Sequence, residues 1–370
     1  MKRIIVSVLN DLETDQRVHK VCTTLSKAGY KITVIGYTLH KSSPLNREYE
    51  TKRMRLFFSK GFLFFAEFNL RVFFKIVFLK KDILLANDLD TLLPNFIISK
   101  LMKKKLVYDS HELYTEVPEL INRPRVQSIW LAIEKFIFPK LKNVITVNKV
   151  IAEIYEKKYN VHVIVIRNIA PMLKNKNKNI ELSREVKGNH KMLILQGAGI
   201  NIDRGAEEAV EMMQYLENMK LFIIGSGHAI PKLKKIVSKY KLQDKVQILG
   251  RIDYASLMEY TKISDLGLSL DKNTNLNYEY SLPNKIFDYI QAETPLLVSN
   301  RKIVGELVKK HNIGLVSDSH NPKKMASLVQ EALNNEAQYN IWQKNLQSIS
   351  DKYSWEEQEK TLLSFYKGII

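Results

Sequence analysis

Lys174-Asn175-Lys176-Asn177-Lys178-Asn179 interrupts an otherwise regular alternation of short β-branched runs with amphipathic helices, and its polar residues cannot pack a core. Before it, strand-like runs stand at 3–9, 31–36, 82–86, 105–108, 143–147 and 161–167, with a helix near 15–28. After it the alternation restarts, with strands at 192–196, 221–225, 246–249, 265–269 and 295–298 and helices near 206–216 and 231–240. Strands that alternate with helices make parallel sheets, so each side reads as an α/β domain. The expected organisation is a domain over 1–170, a linker over 171–190 and a second domain over 191–353. Ser354-Trp355-Glu356-Glu357 has the form of a capping box, and the closing helix it opens, within 354–370, is expected to pack back on the first domain. A length of 370 residues suits two cores of ordinary size.

Charge is unevenly spread. Residues 1–170 hold 29 Lys+Arg against 16 Asp+Glu, or +13, and the rest hold 28 against 23, or +5, which together make the net +18. The N-terminal half therefore faces something anionic: nucleic acid, an acidic membrane or a phosphorylated acceptor. The single cysteine, Cys22, falls in an apolar-periodic helix and reads as a buried small hydrophobe in a reducing compartment. The apolar run after Met1-Lys2-Arg3 is only strand-length and is followed by Asp11, Glu13 and Asp15, so it reads as a strand and not as a secretory leader.

Ser281-Leu282-Pro283-Asn284-Lys285-Ile286-Phe287-Asp288-Tyr289 carries the most chemistry. Ser281 is placed to cap a helix, Pro283 suits its first turn, and Asn284 and Lys285 add donors to the N–H groups there, a setting for a diphosphate. Lys285 and Asp288 share a helix face, so a phosphate on the first leaves a sugar hydroxyl within reach of the second. The plainer alternative is a capped helix with an i,i+3 ion pair. Gln196-Gly197-Ala198-Gly199 through Asp203-Arg204-Gly205 joins the second domain's first strand to its helix. It begins like a dinucleotide fingerprint, but Ile202 stands where the third glycine would, and no acidic residue closes the following strand. Arg204 offers a fork of donors to phosphate, or else is a solvated arginine. Gly225-Ser226-Gly227 and Gly250-Arg251 end two further strands, leaving open backbone for a base or sugar, or simply turning the chain.

In the first domain, Asp109-Ser110-His111-Glu112 puts an imidazole between carboxylates at a strand end, and His111 is a candidate ligand contact. Asp88-Leu89-Asp90 resembles a short metal motif, but a helix N-cap accounts for it as well, so no metal is assigned. The loop from Asn10 through Asp15 to Arg17 is polar without a glycine cradle and suits a hydroxylated acceptor; its alternative is Asp15 as a cap with Arg17 paired on the helix surface. Residues 57–81 concentrate phenylalanines and cations. Glu67, Asn69, Arg71 and Lys75 break the segment too often for a transmembrane span, which leaves a buried helix, the preferred reading, or an interfacial one.

These landmarks, in this order, resemble glycosyltransferase family 4: Arg17-Val18, Asp109 to Glu112, Gly225 to Gly227, Gly250-Arg251, Ser281 to Tyr289, and Trp355-Glu356. The likeness is strongest to bacterial enzymes that build capsular and surface polysaccharides. The resemblance implies a GT-B fold, two Rossmann-like parallel-sheet domains facing across a cleft, and a retaining transfer from a nucleotide-diphosphate sugar. It implies Arg204 and Lys285 on the diphosphate, Asp288 on the ribose and His111 near the donor sugar, with Gly199, Gly225, Gly250, Arg251, Ser281, Leu282, Pro283 and Asn284 lining the donor. Asn10, Asp15, Arg17, Asp88 and Glu112 fall on the acceptor side. The family often carries two acids eight residues apart; Tyr280 stands eight before Asp288, and Glu279, adjacent but out of register, stays a donor-side candidate. No cofactor or metal is expected. The expected partners are a nucleotide sugar, a glycan or lipid-linked acceptor and an acidic membrane surface on the cytoplasmic side, with no nucleic acid, since no recognised nucleic-acid module is present. A sugar-nucleotide epimerase of similar build is the alternative.

Overall fold

A computed structural model describes residues 1–13, 15–38 and 44–369. The chain divides into two compact units, 1–168 with 358–370, and 169–357. The N-terminal unit holds seven parallel strands: β1 (Arg3–Asp11), β2 (Lys31–Tyr37), β3 (Glu50–Met54), β4 (Ile83–Asn87), β5 (Lys105–Ser110), β6 (Asn143–Thr146) and β7 (Val163–Val165), in the order β3-β2-β1-β4-β5-β6-β7. The C-terminal unit holds six: β8 (Lys191–Gly197), β9 (Met219–Gly225), β10 (Val246–Gly250), β11 (Leu266–Ser269), β12 (Leu296–Ser299) and β13 (Gly314–Ser317), in the order β10-β9-β8-β11-β12-β13. Helices cover both faces, so central strands such as β4, β11 and β12 are buried at every residue. Strand order reverses between β1 and β4 in one unit and between β8 and β11 in the other. The loops after those strands are where open α/β sheets take ligands.

Two strands were not foreseen. Glu50-Thr51-Lys52-Arg53-Met54 has no apolar alternation; it is an edge strand on β2, held in part by Thr33 Oγ1 donating to Glu50 Oε2 at 2.7 Å. Gly314–Ser317 is only four residues long and borders β12. The expected linker at 171–190 also differs: it belongs to the C-terminal unit and contains the helix Ile180–Val186, capped by Asn179. The closing helix, Trp355–Ile369, straddles the division. Its first turn serves the C-terminal unit, where Met172 N donates to Glu356 at 3.0 Å. From Gln358 onward it serves the N-terminal unit: Arg167 N donates to Gln358 Oε1 at 2.9 Å, Thr24 donates to Glu359, and Tyr366 meets Tyr30 edge-on.

The preferred reading of residues 57–81 as a buried helix is overturned. In the helix Gly61–Phe78 only Phe68, Val72 and Ile76 are buried, a stripe at i, i+4 and i+8. Phe57 is 87% exposed, Phe62 74% and Phe78 84%, and more than half of Leu63, Leu70 and Phe74 is also open. Leaving each large side chain in water forgoes on the order of 1.5–3 kcal/mol of burial, so the helix carries an exposed apolar face at a cost to the isolated chain. Lys81 is instead buried, and its Nζ donates to the carbonyls of Ile76, Leu79 and Val77 at 2.6, 2.9 and 3.1 Å, closing the helix end.

Candidate active site

In the C-terminal unit, four charged side chains meet where the strand order reverses. Asp271, two residues past β11, is fully buried. Arg204 Nη1 lies 3.0 Å from its Oδ1, while Lys285 Nζ and Arg301 Nη2 lie 3.7 and 3.6 Å from its Oδ2. Burial alone would raise the Asp271 pKa, but Lys285, Arg204 and Arg301 override it and hold the carboxyl well below the usual range. Burial in turn lowers the Lys285 pKa against the pull of Asp271. Three cations thus converge on one carboxylate, a surplus suited to a doubly charged anion. Arg301, 1% exposed, donates through Nη1 to Tyr278 O and, at 2.9 Å, to Ser281 Oγ. Its Nε and Nη2 have no hydrogen-bond partner among the described residues. Tyr278 also supports Arg204, whose guanidinium lies 4.4 Å over its ring.

The helix after this loop is Asn284–Gln291, with Pro283 at its cap position and no side-chain cap. Ser281 is therefore not its cap; it closes the short helix Leu276–Tyr280 and accepts from Arg301. Leu282 is half-buried and Asn284 exposed on the first turn. The alternative reading, an i,i+3 ion pair, gives way to two separate attachments. Lys285 turns to Asp271, and the Asp288 carboxylate accepts from Gln196 Nε2 and from Tyr254 OH, each at 2.9 Å. Thr261 Oγ1 donates to Gln196 Oε1 at 2.8 Å and fixes that amide's orientation. Glu279 accepts from Lys302 N at 3.3 Å, at the start of the helix Lys302–His311.

The glycines differ in what they do. A Cβ on Gly225 (φ +141°) would fall 1.9 Å from Gly197 O, and one on Gly227 2.1 Å from Ile200 O, so these two close the β8 and β9 loops against each other. They are needed for packing. Gly199 meets only Asn201 Nδ2 at 3.6 Å, and Gly250 (φ +74°) meets nothing within 4 Å, so backbone there is open to approach. Arg251 Nε donates to Ser226 Oγ at 2.6 Å and ties the third strand end to the second.

In the N-terminal unit a chain of alternating charge runs along the sheet edge. Arg17, 3% exposed, pairs with Asp109 through Nη2 at 2.7 Å and Nε at 3.1 Å, and donates through Nη1 to Ile166 O. It is not a surface residue, because each nitrogen of its guanidinium is bonded inside the unit. Asp109 Oδ2 lies 3.5 Å from His111 Nε2. The Asp88 carboxylate then takes both His111 N at 2.8 Å and His111 Nδ1 at 2.9 Å. Asp88 stands at the cap position of the helix Leu89–Leu101, but its side chain makes no cap hydrogen bond. Its backbone, φ 59° and ψ 169°, lies in a region that non-glycine residues avoid. Burial alone would lower the His111 pKa, but Asp88 and Asp109 raise it to about 10. Asp109, despite its burial, is pulled down to about 2 by Arg17 and His111. His111 is thus an imidazolium and a donor, not a base. Asp90 beside it is pushed well above the usual range, first by burial and then by Asp88, and accepts from Tyr114 OH at 3.4 Å.

The remaining acceptor-side candidates have local roles. Asp15 caps the helix Gln16–Lys27 by accepting from Val18 N at 2.9 Å, and Asn10 Nδ2 donates to Asp15 Oδ2 at 3.1 Å. Glu112 offers its main-chain oxygen to Ser110 Oγ and Tyr155 OH. Among the described residues no group of three or more metal-type ligands assembles.

Sequence reasoning missed Asp271, Arg301, Tyr254 and Gln196. Asp271 and Arg301 each stand two residues past a strand end, and for Asp271, after β11 at the reversal of strand order, that position is the signal that points to it.

Comparisons with known proteins agree on both units. The family described as Glycosyltransferase Family 4 matches residues 15–170, and that described as Glycosyl transferases group 1 matches residues 179–348. A search of the curated proteins finds no match. Among solved structures, sucrose-phosphate synthase from Thermosynechococcus elongatus superposes with a TM-score of 0.81 at 16% identity, covering 100% of this chain and 99% of that one. The HepE protein of Anabaena, solved with UDP-glucose, gives 0.76 at 10% identity with 100% of both chains covered. WaaG, a glycosyltransferase involved in lipopolysaccharide biosynthesis, gives 0.67 at 15% identity over 97% and 98%. Likeness at such identities is likeness of fold. With a glycosyltransferase family matched on each half and both parallel sheets in place, the chain belongs to the family 4-like glycosyltransferases of GT-B fold.

Proposed function

We propose that the enzyme moves a sugar from a nucleotide-diphosphate sugar to a lipid-linked glycan acceptor, with retention of configuration, during synthesis of a bacterial surface polysaccharide at the inner face of the membrane. The observation that carries the donor half is the convergence of Arg204, Lys285 and Arg301 on the single carboxylate of Asp271. A diphosphate bridging the cations balances their surplus. As the glycosidic bond to the nucleotide breaks, charge grows on the leaving phosphate, and cations held in place beforehand stabilise it without reorganising. That arrangement needs no metal ion. The acceptor hydroxyl attacks the face the nucleotide leaves, and the departing phosphate takes its proton. Asp288, fixed by Gln196 and Tyr254, supplies a carboxylate for the ribose, and the His111 imidazolium supplies a donor for a sugar oxygen or an anionic acceptor.

The membrane reading is supported by the exposed phenylalanines of 57–78, flanked by Lys60, Lys75 and Lys80. A panel of nucleotide sugars tests the donor half by thermal shift: the true donor at a hundred times its dissociation constant stabilises by about 2.7 kcal/mol. Lys285→Ala and Arg204→Ala are each expected to lose that shift and at least tenfold in turnover while remaining folded. Wild-type shifts and rates in both variants refute the assignment. A sugar nucleotide converted without any acceptor would instead indicate an epimerase.

A further inference from the structure

Five aromatic rings form an unbroken row across the N-terminal unit. Tyr114, hydrogen-bonded to Asp90 beside His111, meets the Trp130 ring at 5.3 Å. Trp130 meets Phe65 at 5.3 Å, Phe65 meets Phe64 at 5.4 Å, and Phe64 meets Tyr37 at 5.7 Å. Tyr37, Phe64, Phe65 and Tyr114 are only half-buried, and Trp130 is 9% exposed. Phe64 and Phe65 sit in the first turns of Gly61–Phe78, next to the open Phe62 and Leu63, and Trp130 sits in the helix Pro124–Ile137, next to the open Ile129. The row therefore starts at the charged His111 cluster, passes the open Phe62 and Leu63 at Phe64 and Phe65, and ends at Tyr37.

Charge identifies the occupant. The only acids in these two helices are Glu67 and Glu134, both largely buried and paired with Arg71 and Lys158, whereas Lys75, Arg125 and Lys135 are exposed. The outer face is thus apolar and cationic, a match for a molecule with a long hydrocarbon chain and an anionic head. We propose that this row seats the hydrocarbon chain of a lipid-linked acceptor and so brings its phosphate-bearing head to His111. The proposal rests on the reading of the acceptor as lipid-linked, and names the residues that hold its chain.

Trp130 is a built-in reporter, because Trp342 and Trp355 lie buried in the other unit, 3% and 5% exposed. The full chain is mixed with acidic vesicles that contain a few per cent of a nitroxide-labelled long-chain alkyl phosphate, or the same share of a nitroxide-labelled phosphatidylcholine. Quenching due to Trp130 is taken as the difference between wild type and Trp130→Phe, which keeps a ring in the row. The expected result is Trp130 quenching several-fold stronger with the alkyl phosphate than with the phosphatidylcholine, and weakened at least twofold by Phe65→Ser. If Phe65→Ser does not fold, Phe64→Ser serves in its place. Equal quenching by both lipids means bilayer contact only and overturns the proposal, as does the absence of Trp130 quenching. The nucleotide thermal shift is measured on the same samples. Its loss would condemn the donor assignment, and its persistence confines a negative quenching result to the acceptor row.

Discussion

Replacing Asp88 by Asn removes one charge from the His111 cluster while keeping side-chain size and a residue type that tolerates positive φ. The wild-type carboxylate accepts from both His111 N and His111 Nδ1 and, with Asp109, holds the imidazole pKa near 10 against a burial that would lower it. Because this pKa is raised on folding, its contribution to stability is complete below the unfolded value near 6.5 and is lost as pH rises through about 10. The full shift would correspond to on the order of 5 kcal/mol, a ceiling for a side chain that is 21% exposed. Losing the charge-assisted bond to Nδ1 should cost about 1.5–3 kcal/mol, which is roughly one to two pKa units. The His111 ring resonances, assigned against His111→Gln, should therefore stay flat from pH 5 to 9 in the wild type. In Asp88→Asn they should titrate about one to two units lower than in the wild type, and the loss of stability with rising pH, which begins above about 6.5 in both proteins, should be complete about one to two units earlier in the variant. A wild-type His111 that titrates near 6.5, or a variant with an unchanged profile, would refute the account of His111 as a fixed imidazolium. The strained backbone at Asp88, worth about 1–3 kcal/mol, is the companion cost of that geometry.

Other outcomes follow from the same structure. Activity should persist in EDTA, because three cationic side chains converge where the diphosphate is proposed to bind; complete loss restored by magnesium or manganese would reverse that view. Asp271→Asn should leave three converging cations, Arg301 among them buried, repelling one another and destabilise the unliganded protein by about 3–5 kcal/mol, a deficit that a nucleoside diphosphate should partly restore in a melting experiment. Cosedimentation with acidic vesicles at low salt should fall sharply with added salt and with charge reversal at Lys75 and Lys80, each neutralised cation being worth about 1 kcal/mol. Lys81 is unsuitable for that test, since its ammonium closes the helix end and its reversal would unfold the segment.

Most of the fold was legible because buried parallel strands are continuous apolar runs, as in Ile83-Leu84-Leu85-Ala86, and the helices between them carry one apolar stripe. β3 was not, since an edge strand of Glu, Thr, Lys and Arg is held by its backbone ladder and a few polar contacts that leave no hydrophobic period. Of the candidate site in the C-terminal unit, Arg204 and Lys285 stood out beside glycine and proline signals. Asp271 and Arg301 did not, because they join the cluster from loops after two different strands and only the sheet order brings them together.

Charge was the hardest property to read linearly. The count of +13 over residues 1–170 treats every cation as equal. Arg17 is spent on Asp109 and Ile166, and Lys81 on three carbonyls, so neither contributes a surface field. Lys75 and Lys80 remain exposed beside exposed phenylalanines, and Glu67, the one acid of that helix, is neutralised by Arg71 at 2.8 Å and by the amides of Phe57 and Phe58. Folding therefore withdraws some cations from the surface, Arg17 at the sheet edge beside His111 and Lys81 at a helix end, while Lys75 and Lys80 face outward with the aromatic side chains. Only cations left at the surface can act on a membrane, so the salt dependence of vesicle binding should reflect the exposed cations near the aromatic face and not the net charge of the half.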